Sequence, residues 1–206
     1  MFSEVELNKL RADIRSYMSE YRYKHTLGVE RAAIELGNVF LPQSLPELRA
    51  AALLHDITKE LSLDEQMKLI DVSDLTVTDE DRRTLPALHS FSAVPFIKEH
   101  FTHFATENIL SAVAHHTLGA ENISLFDKII FLADYIEDGR VHESCIKTAK
   151  FVKNNLSLGQ KLSENIKVLN KAIIMAVDFT VATVKSKNNI PHSRTLTMRS
   201  GICGEN

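Results

Sequence analysis

The sequence predicts an all-α, single-domain protein. Its 206 residues include only seven glycines and five prolines, so few positions interrupt a helix. Apolar residues recur mainly three and four positions apart, which is the spacing of amphipathic helices. No two segments alternate apolar and polar residues in the way that paired strands do. We therefore expect one helical domain over residues 1–187 and a flexible tail over residues 188–206, where the periodicity is lost and polar residues dominate.

Helix-start and helix-stop residues divide the domain into ten predicted helices. The first helix should bury Val5 and Leu10, the second ends before Pro42, and Pro46 suits the first turn of the third. Asp79 is expected to cap the fifth. The predicted helices cover residues 3–20, 24–40, 46–56, 61–69, 79–86, 88–100, 106–116, 124–137, 141–153 and 158–187.

Composition and charge narrow the function classes. Hydrophobic residues make up 44% of the chain and charged residues 25%, as in ordinary globular proteins. The formal net charge of −3 predicts no nucleic-acid partner and no attraction to an anionic membrane, although metals and a few basic residues could still focus positive charge locally. Cys145 and Cys203 are far apart, which argues against a disulfide framework. The N-terminus does not resemble a signal peptide and no apolar run has the length of a membrane span, so we expect a cytoplasmic protein.

The dipeptide His55-Asp56 is the first indication of a functional site. It follows directly on the apolar run AAALL at residues 50–54, which should lead into the core. Two polar side chains at that point would lose their hydration, which is costly unless hydrogen bonds or a metal ion compensate them. The pair could cap a helix end, but an imidazole beside a carboxylate is also a suitable ligand set for a hydrolytic metal.

Four further polar residues with apolar neighbours lie on other predicted helices: His25, His89, His116 and Asp134. Each alone has an ordinary structural explanation, such as a helix-start position for His25 or a favourable helix-dipole interaction for His116. Together with His55-Asp56, they fit the way in which helical bundles build metal sites from facing helices. Glu137 lies one turn beyond Asp134 and could approach the same site.

Five segments carry a more specific pattern: RYKHTLGVERAA, AALLHDITK, HSFSA, AHHTLG and LFDKIIFLADYIEDGR. In this order they resemble the motifs of the HD-domain metal-dependent phosphohydrolases and, within that superfamily, of the bacterial HD-type symmetrical bis(5′-nucleosyl)-tetraphosphatases. The resemblance spans about residues 20 to 140. Ser90, Leu118 and Asp138 replace a glycine, a threonine and a proline that are usual in the family, which could alter loop shape but leaves every implied ligand in place.

The resemblance implies an HD-type bundle with a two-metal site between its helices and catalytic roles for His55, Asp56 and Asp134. Iron is the implied metal, as a dinuclear centre, although manganese or zinc would suit the same ligands. A metal-activated hydroxide would attack the second phosphorus of a dinucleoside tetraphosphate, so that diadenosine tetraphosphate yields two ADP. The implied ligands are His25, His55, Asp56 and Asp134 for one metal, and His89, His116 and a bridging Asp56 for the other.

A second set of residues should contact the substrate. Lys59 lies one helical turn after His55, and Arg140 follows the helix of Asp134 and could grip phosphate oxygens with two donors. The expected substrate-binding residues are Lys59, His89, His116 and Arg140, with Arg22 and Lys128 as weaker candidates. His115 stands where the family usually has an aromatic residue, so of the two neighbours only His116 should face the site. We assign His100, His103, His142 and His192 to the surface or the tail, and Phe126 and Phe131 to the core.

Three other functions are compatible with parts of this pattern. The first is an HD-type phosphohydrolase that acts on nucleoside mono- or triphosphates with a single metal. The second is a nucleotide-binding sensor that keeps the metal site without turnover. The third is an RNA-binding helical module, which the absence of a basic stripe disfavours. A homodimer is compatible with the sequence, although no helix face is clearly apolar and surplus to the core.

Overall fold

The computed structural model describes residues 2–204, and within them every regular element is helical, as predicted. None of the described helices combines the length and the apolar character that a membrane span requires. The α-helices are α1 Glu4–Ile14, α2 Glu20–Phe40, α3 Leu45–Leu54, α4 Leu63–Asp71, α5 Asp79–Arg83, α6 Leu88–His100, α7 Glu107–His115, α8 Leu125–Ile136, α9 Glu143–Asn155, α10 Leu162–Ser186 and α11 Ser193–Gly204.

Hydroxyl side chains cap most helix starts. The expected cap at Asp79 is wrong, because Thr78 caps α5 and Asp79 is its first helical residue. A serine or threonine oxygen accepts a backbone N–H at the start of α1, α2, α4, α5, α7 and α8. One of these caps shortens the predicted first helix: Ser19 Oγ accepts a hydrogen bond from Arg22 N and begins α2, so α1 ends at Ile14. The expected burial of Val5 is wrong, since 78% of it is exposed, whereas Leu10 is buried.

The central helix is α3, which contacts α1, α2, α7 and α8. Its AAALL segment is completely buried, and the small alanine side chains let neighbouring helices approach closely. Gly37 of α2 contributes to the same close packing, because a Cβ there would lie 2.7 Å from Leu48 Cδ1. Since α3 ends in the middle of the bundle, the residues that follow it, His55 and Asp56, are surrounded by helices.

The C-terminal segment is a packed helix rather than the expected flexible tail. Helix α11 buries Met198 and Ile202, and the Arg194 guanidinium donates two hydrogen bonds to Asp81. His192, which we assigned to the surface or tail, is buried and lies 3.2 Å from Asp81 Oδ1. The polar sequence did not predict this helix, because the contact that fixes its position is made with Asp81 on α5, more than 100 residues away in the sequence. Residues 205–206 of the expected tail lie outside the described residues.

Candidate metal centre

The six predicted ligands lie together in the middle of the bundle. Five of them are buried, and Asp134 is partly buried. They come from different parts of the chain: His25 from α2, His55 and Asp56 from the turn after α3, His89 from α6, His116 from the end of α7 and Asp134 from α8. The packing of these helices against one another therefore creates the cluster.

The Asp56 carboxylate lies between two groups of side chains. Its Oδ2 atom is 3.4 Å from His55 Nε2 and 3.6 Å from His25 Nε2. Its Oδ1 atom is 3.1 Å from His89 Nε2 and 3.6 Å from His116 Nε2. Asp134 belongs to the first group, because its Oδ1 atom is 3.1 Å from His25 Nε2. Each oxygen of Asp56 thus faces a different pair of histidines.

In three of the histidines, the Nδ1 atom points away from the cluster and lies at hydrogen-bond distance from an oxygen acceptor. His55 Nδ1 lies 2.7 Å from the Ala52 carbonyl oxygen, and His116 Nδ1 lies 2.7 Å from that of Val113. His25 Nδ1 lies 3.1 Å from Glu137 Oε1, which confirms that Glu137 approaches the site. A ring that donates through Nδ1 has its lone pair on Nε2, so these rings present acceptor atoms to the centre.

This arrangement fits a divalent cation. His25 Nε2 and His55 Nε2 are buried without a hydrogen-bond partner, which is uncommon for polar atoms inside a protein. The ligand atoms of His25, His55 and Asp134 lie within 4.8 Å of one another, and so do those of His55, Asp56 and His116. Imidazole nitrogens and carboxylate oxygens at such spacing are a suitable donor set for zinc, manganese or iron.

Three cationic side chains surround the cluster. Arg22 Nη1 lies 2.5 Å from Asp56 Oδ2, and Arg140 donates hydrogen bonds to the Asp134 carbonyl and carboxylate oxygens. Lys59 Nζ donates to the Pro86 carbonyl oxygen. It also lies 3.1 Å from His89 Nδ1. The structure therefore brings the expected Lys59 and Arg140 to the site, together with the weaker candidate Arg22. Arg22 lies one turn before His25 because α2 begins at Glu20, four residues before the predicted start.

The local charges favour the protonation states that a cation needs. Burial by itself would raise the pKa of Asp56, but the neighbouring His55, His116 and His89 rings hold this pKa well below its usual range. The pKa of Asp134 is lowered too, because its contact with His25 and the charge on Arg140 outweigh burial. Burial lowers the pKa of His89 to about 4. Near neutral pH both carboxylates are therefore ionised and His89 is neutral.

The other histidines and Lys128 lie away from the centre. His115 Nδ1 is 3.3 Å from Asp127 Oδ2, so only His116 of the two neighbours faces the site, as expected. Lys128, a weaker candidate for substrate binding, donates to Asn170 Oδ1 inside the bundle. His100, His103 and His142 are exposed, and Phe126 and Phe131 belong to the core, as predicted.

The fold and this cluster define a class of helical protein with a histidine–aspartate centre suited to divalent metal. The chain belongs to the HD domain family, whose model matches residues 22–139. A protein of Halalkalibacterium halodurans named symmetrical bis(5′-nucleosyl)-tetraphosphatase is 30% identical over 188 residues, which cover 89% of each chain. The Bacillus subtilis protein of the same name is 27% identical over 177 residues, which cover 86% of this chain and 87% of that one.

A solved structure shows the same fold. It is a Clostridium acetobutylicum protein described as a predicted HD superfamily hydrolase involved in NAD metabolism. That chain is 28% identical and superimposes with a TM-score of 0.82 over the full length of both chains. The fold, the family match and these relatives identify the protein as an HD-domain hydrolase.

Proposed function

We propose that this hydrolase cleaves dinucleoside tetraphosphates symmetrically and converts diadenosine tetraphosphate and water into two ADP. The observation that carries the proposal is the position of Asp56 between two pairs of histidines, which suits a bridge between two metal ions. The names of the relatives that span most of this chain support the choice of substrate. The carboxylate geometry supports the reaction class, since paired metals recur in phosphoryl hydrolysis.

The proposed ligands follow from the two sides of Asp56. His25, His55, Asp56 and Asp134 would hold one ion, and Asp56, His89 and His116 would hold a second. Iron is the metal we propose, with manganese or zinc as alternatives for the same donors. When bound, such ions supply the Lewis acidity that activates water and offsets charge on a phosphate.

The protein side chains of the site would position the tetraphosphate. Lys59 lies beside His89, and Arg140 and Arg22 lie beside Asp134 and Asp56, so positive groups stand on both sides of the cluster. We assign to them the binding of phosphate oxygens, whose charge rises during the reaction. Water oxygen bonds to the second phosphorus while the bond from this atom to the oxygen bridging to the third phosphorus breaks. The bridging oxygen keeps the electron pair and leaves as part of one ADP, and the protons of water pass to solvent.

The test is a product analysis with the whole protein. Metal-loaded enzyme is incubated with diadenosine tetraphosphate in water enriched in ¹⁸O, and the nucleotides are separated and weighed by mass spectrometry. We expect ADP as the only nucleotide product, with one ¹⁸O in the terminal phosphate of half of the ADP molecules. ATP with AMP would show asymmetric cleavage and overturn the proposal.

Two rivals are separated by additional measurements. Faster hydrolysis of a nucleoside mono- or triphosphate than of diadenosine tetraphosphate, with one metal ion per chain, would favour the single-metal phosphohydrolase. Metal-dependent binding of the dinucleotide with no turnover under iron, manganese or zinc would favour the sensor. Either result would replace the proposed reaction.

A further inference from the structure

An open cavity of about 400 Å³ lies at the His25 end of the metal centre. We call it the α2 cavity, because one face of α2 forms its first side and residues 137–139 form the second. His25 lines the cavity and also contacts Asp134, whose side chain is 21% exposed, so the centre is accessible to solvent here. The helix face carries four lining residues spaced three or four positions apart: Tyr21, Lys24, Leu27 and Arg31.

Two arginines connect this cavity to the metal centre. Arg22 directly follows Tyr21 in the chain, and Arg140 directly follows Gly139. Each arginine contacts a carboxylate of the ligand set, and the proposed function assigns phosphate binding to both. Since each is the sequence neighbour of a residue that lines the cavity, a phosphate held by the pair would lie beside the cavity.

The charged side chains of the lining balance one another. Lys24 and Arg31 contribute two positive charges. Glu137 and Asp138 contribute two negative charges. Arg31 Nη2 lies 2.8 Å from Asp138 Oδ1 and 3.0 Å from Oδ2, so this pair is already formed within the protein. A chain of phosphates therefore gains no net attraction from the lining, and an uncharged group is the better match.

The position of Tyr21 indicates which uncharged group the cavity suits. Tyr21 is 77% exposed, so its ring contributes little to the core and most of it is accessible to a ligand. Leu27 adds a half-buried apolar side chain to the same wall. The Arg22 guanidinium lies 5.9 Å from the centroid of the Tyr21 ring and also contacts Asp56 Oδ2. One side chain thus connects an accessible aromatic ring with the metal centre.

We propose that the α2 cavity binds one nucleoside of the substrate, with its base stacked on the Tyr21 ring and its phosphates passing between Arg22 and Arg140 to the metal centre. The identity of that substrate rests on the proposed function. Every base has a π-face that can stack on an aromatic ring, so such a site accepts different bases. The Asp138 carboxylate at the rim can accept a hydrogen bond from a ribose hydroxyl.

The first test removes the ring. Because a base stacked on an aromatic side chain binds about 5- to 150-fold more tightly, Tyr21→Ala should raise KM for diadenosine tetraphosphate about fivefold or more, with a smaller change in kcat. Tyr21→Phe keeps the ring and should restore the wild-type KM. Leu158→Ala is the matched control, because Leu158 is 75% exposed in the turn between α9 and α10 and does not line the cavity. Equal KM values for Tyr21→Ala and Leu158→Ala would overturn the inference.

A probe without a nucleoside separates base stacking from an indirect effect on the metal centre. Inorganic tripolyphosphate should compete with diadenosine tetraphosphate through its phosphates alone. Its inhibition constant should therefore be the same for wild type and Tyr21→Ala, although KM for the dinucleotide rises. Equal increases in KM and in the inhibition constant would assign the effect to the centre and overturn the nucleoside site.

The second test needs no turnover. The chain has no tryptophan, so a single introduced one reports on its own surroundings. Tyr21→Trp keeps an aromatic ring in the cavity, and Leu158→Trp places one at a similarly exposed position outside it. The ligand is diadenosine tetraphosphate with a methylene group in place of the central bridging oxygen, which blocks symmetrical cleavage. This analogue should quench Tyr21→Trp saturably and tripolyphosphate should not, and Leu158→Trp should respond to neither.

The outcomes separate this inference from the proposed function. Quenching of Tyr21→Trp by the analogue supports the nucleoside site even if diadenosine tetraphosphate is not cleaved. No change in Tyr21→Trp when calorimetry shows the analogue to be saturating, or an equal response to tripolyphosphate, overturns the nucleoside site even if the enzyme forms two ADP.

Discussion

The most informative perturbation of the centre is Glu137→Gln, which changes one atom outside the ligand set. Glu137 is buried and accepts at both carboxylate oxygens: His25 Nδ1 lies 3.1 Å from Oε1, and Gly139 N donates to Oε2 at 2.7 Å. Gly28 makes room for this side chain, because a Cβ there would clash with Oε2. A glutamine of the same shape has one acceptor oxygen and one NH₂ donor, so it cannot serve both partners.

Two orientations of the glutamine are possible, and both carry a cost. If the amide oxygen accepts from Gly139, the NH₂ group faces His25 and moves the ring proton from Nδ1 to Nε2, the atom that faces Asp56 and Asp134. A protonated Nε2 cannot bind a metal. If the amide turns over, the Gly139 N–H is left facing a donor in a buried position, which costs about 1–3 kcal/mol.

The expected size of the effect follows from the role of the pair. Loss of a residue that orients a ligating histidine typically lowers metal affinity or activity about 10- to 100-fold. At about 1.4 kcal/mol per tenfold, this corresponds to roughly 1.4–2.8 kcal/mol. Glu137 is 5% exposed, so water has little access to replace the lost interaction.

The assay is a calorimetric titration of metal-free protein with Mn²⁺, followed by kcat/KM for diadenosine tetraphosphate. Glu143→Gln is the matched control, because it makes the same change of charge at an exposed position on α9. Wild-type Mn²⁺ affinity in Glu137→Gln would refute the reasoning. The titration stands independently of the substrate, so it remains decisive if the natural substrate is another nucleotide.

Two further predictions concern Asp56 and Asp81. Asp56→Ala removes the carboxylate that faces all four histidines, so bound metal and ADP formation should be lost together, and wild-type metal content by elemental analysis would contradict the bridging role. Burial would raise the pKa of Asp81, but hydrogen bonds from Arg194 and Thr78 hold it below its unfolded value near 3.8. The stabilisation by ionised Asp81 should therefore be present above that pH and lost as pH falls through the folded pKa. Urea unfolding of wild type and Asp81→Asn should show a stability difference at neutral pH that shrinks in acid, with Asp74→Asn as an exposed control. A difference independent of pH would exclude this role.

The helices and the metal ligands could be predicted because short stretches of the sequence are sufficient to recognise them. The predicted helices that begin at Ser3, Thr106 and Ser124 are capped by these residues, and the expected ligands are polar residues among apolar neighbours. The break between the first two helices was predicted after residue 20, whereas the structure has it between Ile14 and Glu20, where Ser19 caps α2. The burial of Val5 was overestimated. The spacing of apolar residues identifies the apolar face of a helix, but how much of that face is buried depends on the neighbouring helices.

Other features depend on contacts between residues that are far apart in the sequence, so no short stretch of the sequence predicts them. Helix α11 has little apolar periodicity, and its position is fixed by the contacts of Arg194 and Thr195 with residues on other elements. Arg22 lies outside the predicted second helix, and only the tertiary structure shows its contact with Asp56.

The charges at the centre explain how an acidic chain can act on a polyphosphate. The carboxylates of Asp56, Asp134 and Glu137 lie beside Arg22, Arg140 and Lys59, and three negative and three positive groups cancel. The histidines add no charge when their lone pairs face the centre. The side chains alone therefore offer a tetraphosphate little net attraction, and the surplus positive charge has to come from divalent ions. Two such ions would carry as many positive charges as a dinucleoside tetraphosphate carries negative ones, so metal loading and substrate binding should be coupled at this site.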